Sequence, residues 1–334
     1  MSDKHNGTAP APSESPPRLV IVRRTAGFTA AASMSLYLAV KAVWVLGTLA
    51  GAAPRELEAD LSDWIALNTV TIAMAVLGVT LGLALAQPWG MRIPAPLVLL
   101  FAWTAAGFLV SLLPYTVLSA LLDAAGISAE APSGPDAGES VLPAWETALI
   151  TVGFAGMALG LLVAVPLYMR ERWPRAFTGT TGGLRPAARP PRALSVTASV
   201  AAGVSAVAWM YWAAGGTAGL NPAARELWNL DVRLLTATSA LWAVLGVWSV
   251  WALSGPGPAR VRLWMPVTVG FVASGSLFAW NAWRVLWVVF PVTSQEPLKT
   301  PVVAIAEHLV AMAAGLTMIA LLLHVCTRQT DERQ

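Results

Sequence analysis

Four charged side chains lie inside long apolar runs: Lys41, within "SLYLAVKAVWVLG", Glu146, Arg284 and Glu307. Bases and acids in such settings form structural ion pairs or line a ligand or proton pathway. A lysine near the bilayer centre costs roughly 2.5–3.5 kcal/mol on insertion scales, so a compensating partner is expected. Lys41 lies roughly 13 Å below the nearer end of its helix, deeper than its stem can snorkel. Glu146 is the expected partner of Lys41, and Glu307 that of Arg284. Asp63, Asp231, Arg233, Asn281 and His308 fall at similar depth and extend the polar cluster. Trp280, Trp283, Arg284 and Trp287 follow i, i+3, i+4, i+7 spacing. They should share one face, where indoles could hold the guanidinium.

The elements that carry these residues are membrane helices. The chain is 56% hydrophobic and 12% charged over 334 residues, far from the roughly 25% charge of soluble domains. Its mean hydropathy is +0.63. Apolar stretches near the roughly 20 residues needed to span a bilayer fall at 28–50, 65–86, 95–115, 144–168, 195–215, 233–254, 265–290 and 301–325. Only helices or closed barrels satisfy their backbone in lipid, and ten-residue alternating segments are absent. The predicted class is therefore all-α, with eight transmembrane helices.

If the N-terminus is cytoplasmic, 15 of the 21 basic residues face inward. The positive-inside rule then puts both termini in the cytoplasm and the polar cluster in the outer half. The pI of about 9.3 follows from this loop asymmetry and calls for no nucleic acid. The only cysteine, Cys326, forms no redox pair, and no His, Cys and carboxylate spacing suggests a metal or other cofactor. "TGTTGG" lacks the lysine and following helix of a phosphate loop.

The sequence also repeats. Ala75-Val76-Leu77-Gly78-Val79 recurs as Ala243-Val244-Leu245-Gly246-Val247 at an offset of 168 residues, and "PLVLLF" is echoed by "PVTVGF". Arg55-Glu56-Leu57 matches Arg225-Glu226-Leu227, and Asp63 matches Asp231. Two tandem parallel four-helix repeats are predicted, related about the membrane normal. Residues 1–27 read as a disordered cytoplasmic tail, 28–168 as the first repeat, 169–194 as a linker, 195–326 as the second repeat and 327–334 as a short tail. The linker holds six arginines and is expected to be a flexible tether resting on anionic lipid headgroups.

"YWAAGGTAGL", Tyr211 to Leu220, followed by "RELWNLDVRLL", resembles the signature of a family of small bacterial four-helix membrane proteins of unknown function. The resemblance covers about 195–290. It implies the four-helix membrane unit and no catalytic residues. Abundant Ala, Arg and Trp with three lysines suggest a high-GC bacterial genome, hence a bacterial plasma membrane. Three functions fit: transport or export of a small molecule through a polar site between the repeats, a non-catalytic scaffold or accessory subunit, and an intramembrane enzyme acting on a lipid or prenyl substrate.

Overall fold

The structure, a computed structural model, describes residues 17–51, 61–127, 144–222, 225, 228–255, 260–289 and 299–330. Ten helices run through them: α1 Pro17–Leu49, α2 Leu61–Ala86, α3 Ala95–Leu109, α4 Leu113–Ala124, α5 Ala144–Arg172, α6 Pro174–Phe177, α7 Arg192–Ala213, α8 Leu230–Leu253, α9 Trp264–Val289 and α10 Pro301–Thr330. Among the described residues the extended structure is confined to isolated bridges, Thr180 with Arg262 and Leu220 with Lys299. The matched loops Arg55-Glu56-Leu57 and Glu226-Leu227 lie outside the described residues.

Seven described helical stretches are long and apolar enough to cross a membrane, α3 and α4 counting as one through the tight turn at Val110–Leu112. Pro114 stands inside that junction, where a missing N–H suits a change of helix type. The eighth expected span, α9, falls outside the set. Ser274, Ser276, Asn281 and Arg284 dilute its apolar content. It nevertheless packs among α3, α8 and α10, with Phe271 and Leu277 fully buried.

Two helix groups result. In the first, α1 lies against both α2 and α5 along small residues. A Cβ on Gly82 would come within 2.7 Å of the Ala31 backbone, and one on Gly160 within 2.7 Å of Ala26. Side chains there would force the helices apart, which is why small residues recur on such faces. In the second group α7, α8, α9 and α10 pack on one another.

The groups meet where α3 crosses α9. Gly107 and Gly275 approach so closely that a Cβ on Gly107 would lie 2.3 Å from the Gly275 carbonyl carbon. Beside them Trp103 Nε1 donates to Ser274 Oγ at 2.9 Å, and its ring stacks on Phe278 at 4.7 Å. Among the described residues the crossing is packed backbone against backbone at this point.

Three predicted boundaries need correction. α1 begins at Pro17, so residues 17–27 are helix rather than tail. Arg23 explains the extension: it is 4% exposed, pairs with Glu171 at 2.9 Å and donates to the Leu85 carbonyl. The predicted tether 169–194 is also folded. Ala176, Phe177, Leu184 and Ala188 are buried, Thr181 and Leu263 donate backbone N–H groups to Val261 and Gly179, and Arg185 N–H is held by Gln329. Apolar residues spaced between its arginines decide the outcome. The guanidinium of Arg172 donates to the carbonyls of Met91 and Ile93 at 2.7 Å, closing the connection between α2 and α3. α10 likewise continues to Thr330, past the expected start of the last tail.

Candidate functional site

Lys41 and Glu146 come to the same end of the first group, on α1 and α5, without forming the expected ion pair. Lys41 Nζ donates to Asn68 Oδ1 at 2.8 Å and lies over the Trp44 ring at 4.2 Å, with Tyr37 at 5.7 Å. Glu146 Oε2 accepts from Trp44 Nε1 at 3.0 Å. Trp44 thus presents its ring face to the ammonium and its N–H to the carboxylate. Helical spacing explains the aromatic contacts, because Tyr37, Lys41 and Trp44 stand at i−4, i and i+3 on one face of α1. Asn68 on α2 is 4% exposed and faces that stripe.

The second group repeats the theme with another base. Glu307 on α10 accepts from Lys299 Nζ at 2.6 Å and from Trp209 Nε1 at 2.5 Å. Lys299 lies over the Trp212 ring at 3.8 Å, with Trp228 at 5.7 Å, and is 7% exposed. Burial pushes its ammonium down from the ordinary lysine value, while the charge and hydrogen bond of Glu307 push back. The expected partner, Arg284, makes no direct ion pair with Glu307 among the described contacts, although the Glu307 charge reaches its guanidinium. Lys299 reads in sequence as a loop residue, which is why it was not expected here.

The motif "YWAAGGTAGL" builds the seat for Lys299. Gly215 and Gly219 take φ of +100° and +79°, values that favour glycine. A Cβ on Gly216 would strike the Tyr211 ring. Trp212 Nε1 donates to the Ala218 carbonyl, the Ala218 N–H donates to Tyr211 Oη, and the Thr300 N–H donates to the Gly219 carbonyl. The folded turn bridges Leu220 to Lys299 and holds the lysine above the indole.

The other predicted residues divide by role. His308 Nδ1 lies 2.8 Å from Asn281 Oδ1, and Asn281 Nδ2 donates to the Leu277 carbonyl. With its amide N–H so engaged, Asn281 offers oxygen to the ring, so Nδ1 carries the proton. Arg233 Nε donates to the Ala213 carbonyl at 2.9 Å and closes the end of α7. Asp231 sits in the first turn of α8, where Asn229 Oδ1 caps Val232 N–H, and it accepts from Tyr115 Oη across the seam at 3.5 Å. Trp280 and Trp283 pack edge-on against Phe108 of α3, at 5.1 and 6.4 Å. The side chains of Asp63 and Trp287 lie outside the described residues. Among the described residues no three His, Cys, Asp or Glu side chains converge as metal ligands would.

A cavity of about 750 Å³ opens within the first group, bounded by α1, α2 and α5 on one side and α3 and α4 on the other, with Trp280 and Trp283 of α9 at its back. Tyr37, Met74, Phe108 and Phe154 make its wall almost wholly apolar. Leu77 and Leu100, half exposed, mark its lateral mouth. Gly78 lines it beside Met34 and Met157, and Gly246, its match at the 168-residue offset, lies against Met318 and Ala273. The cavity is thus framed by the first group, with α9 of the second group closing its back.

No family model, curated protein or solved structure matches this chain.

Proposed function

We propose that the chain is a polytopic plasma-membrane protein of eight spans that takes up a lipid-soluble small molecule in the first group's cavity and moves it, as a transporter or export factor does. The observation that carries this reading is the cavity of about 750 Å³ with a lateral mouth on an otherwise apolar helix group. Its size falls within the roughly 300–1,000 Å³ of small-molecule sites. A mouth facing lipid admits ligands already dissolved in the bilayer. The polar route between repeats that the sequence suggests is not part of the proposal, because the α3 and α9 seam is filled at Gly107 and Gly275.

The eighth span in this reading is α9, whose polar residues face protein neighbours, as the Ser274 bond to Trp103 illustrates. Tandem duplication is supported by two pairs at one offset, Trp44 with Trp212 and Gly78 with Gly246. Each indole carries a lysine ammonium over its ring. In this reading the arginine bias favours the Arg172 end and both termini on the cytoplasmic side of a bacterial plasma membrane, facing anionic headgroups, with the Lys41 end outside. Kinship with the small four-helix membrane family rests on the Tyr211–Leu220 motif.

A scaffold reading is favoured by one feature, the buried Lys299 and Glu307 pair, which locks the second group. The two readings divide the molecule naturally: the closed second group supports, and the open first group binds.

The test uses protein in nanodiscs with the apolar fluorophore N-phenyl-naphthylamine. Saturable binding is expected, weakened at least about tenfold by Ala105→Phe combined with Ala155→Phe, which fill the cavity. Proteoliposomes loaded with DNA should admit the dye bisbenzimide faster than those carrying the filled variant. Equal binding by both proteins would refute the cavity reading. Binding without faster dye entry would leave a binding protein and remove transport.

A further inference from the structure

The polar groups at the Lys41 end sit one helical turn from the cavity wall on three different helices. Tyr37 and Lys41 are four apart on α1, Thr71 and Asn68 three apart on α2, and Ile150 and Glu146 four apart on α5. Tyr37, Thr71 and Ile150 line the cavity. Residues so spaced share a helix face, so Lys41, Asn68 and Glu146 stand one turn beyond the cavity wall, outside its lining and in line with it.

That end carries an acid and a base held apart by one indole. Asn68 engages one of the three donors of the Lys41 ammonium, and Trp44 engages one acceptor site of the Glu146 carboxylate. Inside a membrane protein a base and an acid at the same depth ordinarily neutralise each other directly. Here each is braced by a neutral partner and kept on a different edge of Trp44. The arrangement is open to a ligand that brings both opposite charges.

The charge pattern selects among amphiphiles. An anionic head on Lys41 alone would lie beside the Glu146 carboxylate, and a cationic head on Glu146 would lie beside the Lys41 ammonium. Either meets like charge in a low dielectric, where repulsion is strongest. Among the described residues neither charge has an ion-pair partner, and a neutral head would supply none. A head group with a phosphate and an ammonium answers both, phosphate to Lys41 and ammonium to Glu146, with its chain along Tyr37, Phe154 and Phe108.

Resting on the cavity reading above, we infer that the ligand is a zwitterionic single-chain amphiphile of the phosphoethanolamine class, its head between Lys41 and Glu146 and its hydrocarbon chain in the first group's cavity. The second group cannot duplicate this site. There Lys299 and Glu307 are joined directly at 2.6 Å.

The experiment is native mass spectrometry of the full chain released from nanodiscs after exposure to equimolar palmitoyl lysophosphatidylethanolamine, palmitate and monopalmitoylglycerol. The zwitterionic amphiphile should be retained more than about tenfold over either of the others. Lys41→Met and Glu146→Gln should each remove most of that preference while retaining N-phenyl-naphthylamine binding, which reports an intact cavity. Ala105→Phe with Ala155→Phe should abolish retention of all three. Equal retention of the three amphiphiles, still lost in the filled variant, would overturn the head-group inference and leave the cavity reading standing. A preference for palmitate would overturn it as well. Retention that survives cavity filling, or no retention at all, would sink both.

Discussion

Lys299 Nζ stands 2.6 Å from Glu307 Oε2 and 3.8 Å from the centre of the Trp212 ring, so a residue preceding α10 closes the core of the second helix group. Removing one partner of such a pair leaves a buried charge and typically costs about 3–5 kcal/mol. Glu307→Gln and Lys299→Met should therefore each lower thermal stability strongly in detergent. The double variant should recover at least half of the loss. If the double variant loses the sum of the single losses, the pair is not coupled as the geometry requires.

Lys41 answers to Asn68 rather than to Glu146. In double-mutant cycles, Lys41→Met with Asn68→Leu should show a coupling of about 1 kcal/mol. Lys41→Met with Glu146→Gln should show about half of that or less, since only the Trp44 indole connects the two. Thermal unfolding of the five variants and the parent measures both. A larger coupling for Lys41 with Glu146 would contradict the arrangement.

The seam between the helix groups depends on two glycines. A Cβ at Gly275 would come within 2.5 Å of the Trp103 carbonyl oxygen, and backbone cannot give way as a side-chain tip can. Gly275→Leu should cost about 3 kcal/mol or more and weaken the Trp103 to Ser274 bond. Gly203→Leu, where a new Cβ meets open space, is the control and should be nearly silent. Stability measured for both decides the matter.

Alkaline pH probes Lys299. Its folded value is pushed below the ordinary one of about 10.4. Between the two values the unfolded chain holds a proton that the folded chain has released, so stability rises with pH across that window. Stability of the parent relative to Lys299→Met should climb as pH approaches 10 and level off above it. Parallel curves for the two proteins, followed by thermal unfolding, would show that the ammonium is not desolvated.

How much of this was legible beforehand depends on which property of a helix is asked for. The apolar runs that became α2, α3 with α4, α5, α7, α8 and α10 follow from composition alone, since a long apolar stretch in lipid has little choice but to be helical. The start of α1 was missed because Arg18, Arg23 and Arg24 resemble a solvated tail until Glu171 and the Leu85 carbonyl are brought beside Arg23. The folded segment 174–188 was missed for the same reason: its arginines outweigh the few apolar residues that bury it.

The sequence by itself determined the class of the protein, the depth of Lys41, Glu146 and Glu307 along their helices, and the offset that relates Trp44 to Trp212. Depth follows from a fixed rise per residue. Only the tertiary structure decided which base meets which acid, that Lys299 rather than Arg284 hydrogen-bonds Glu307, and that α1 to α5 frame a cavity with Trp280 and Trp283 of α9 at its back. Partners depend on helix rotation, on the turns of connecting segments and on spacing between helices, and these are fixed by close contacts among residues far apart in the chain.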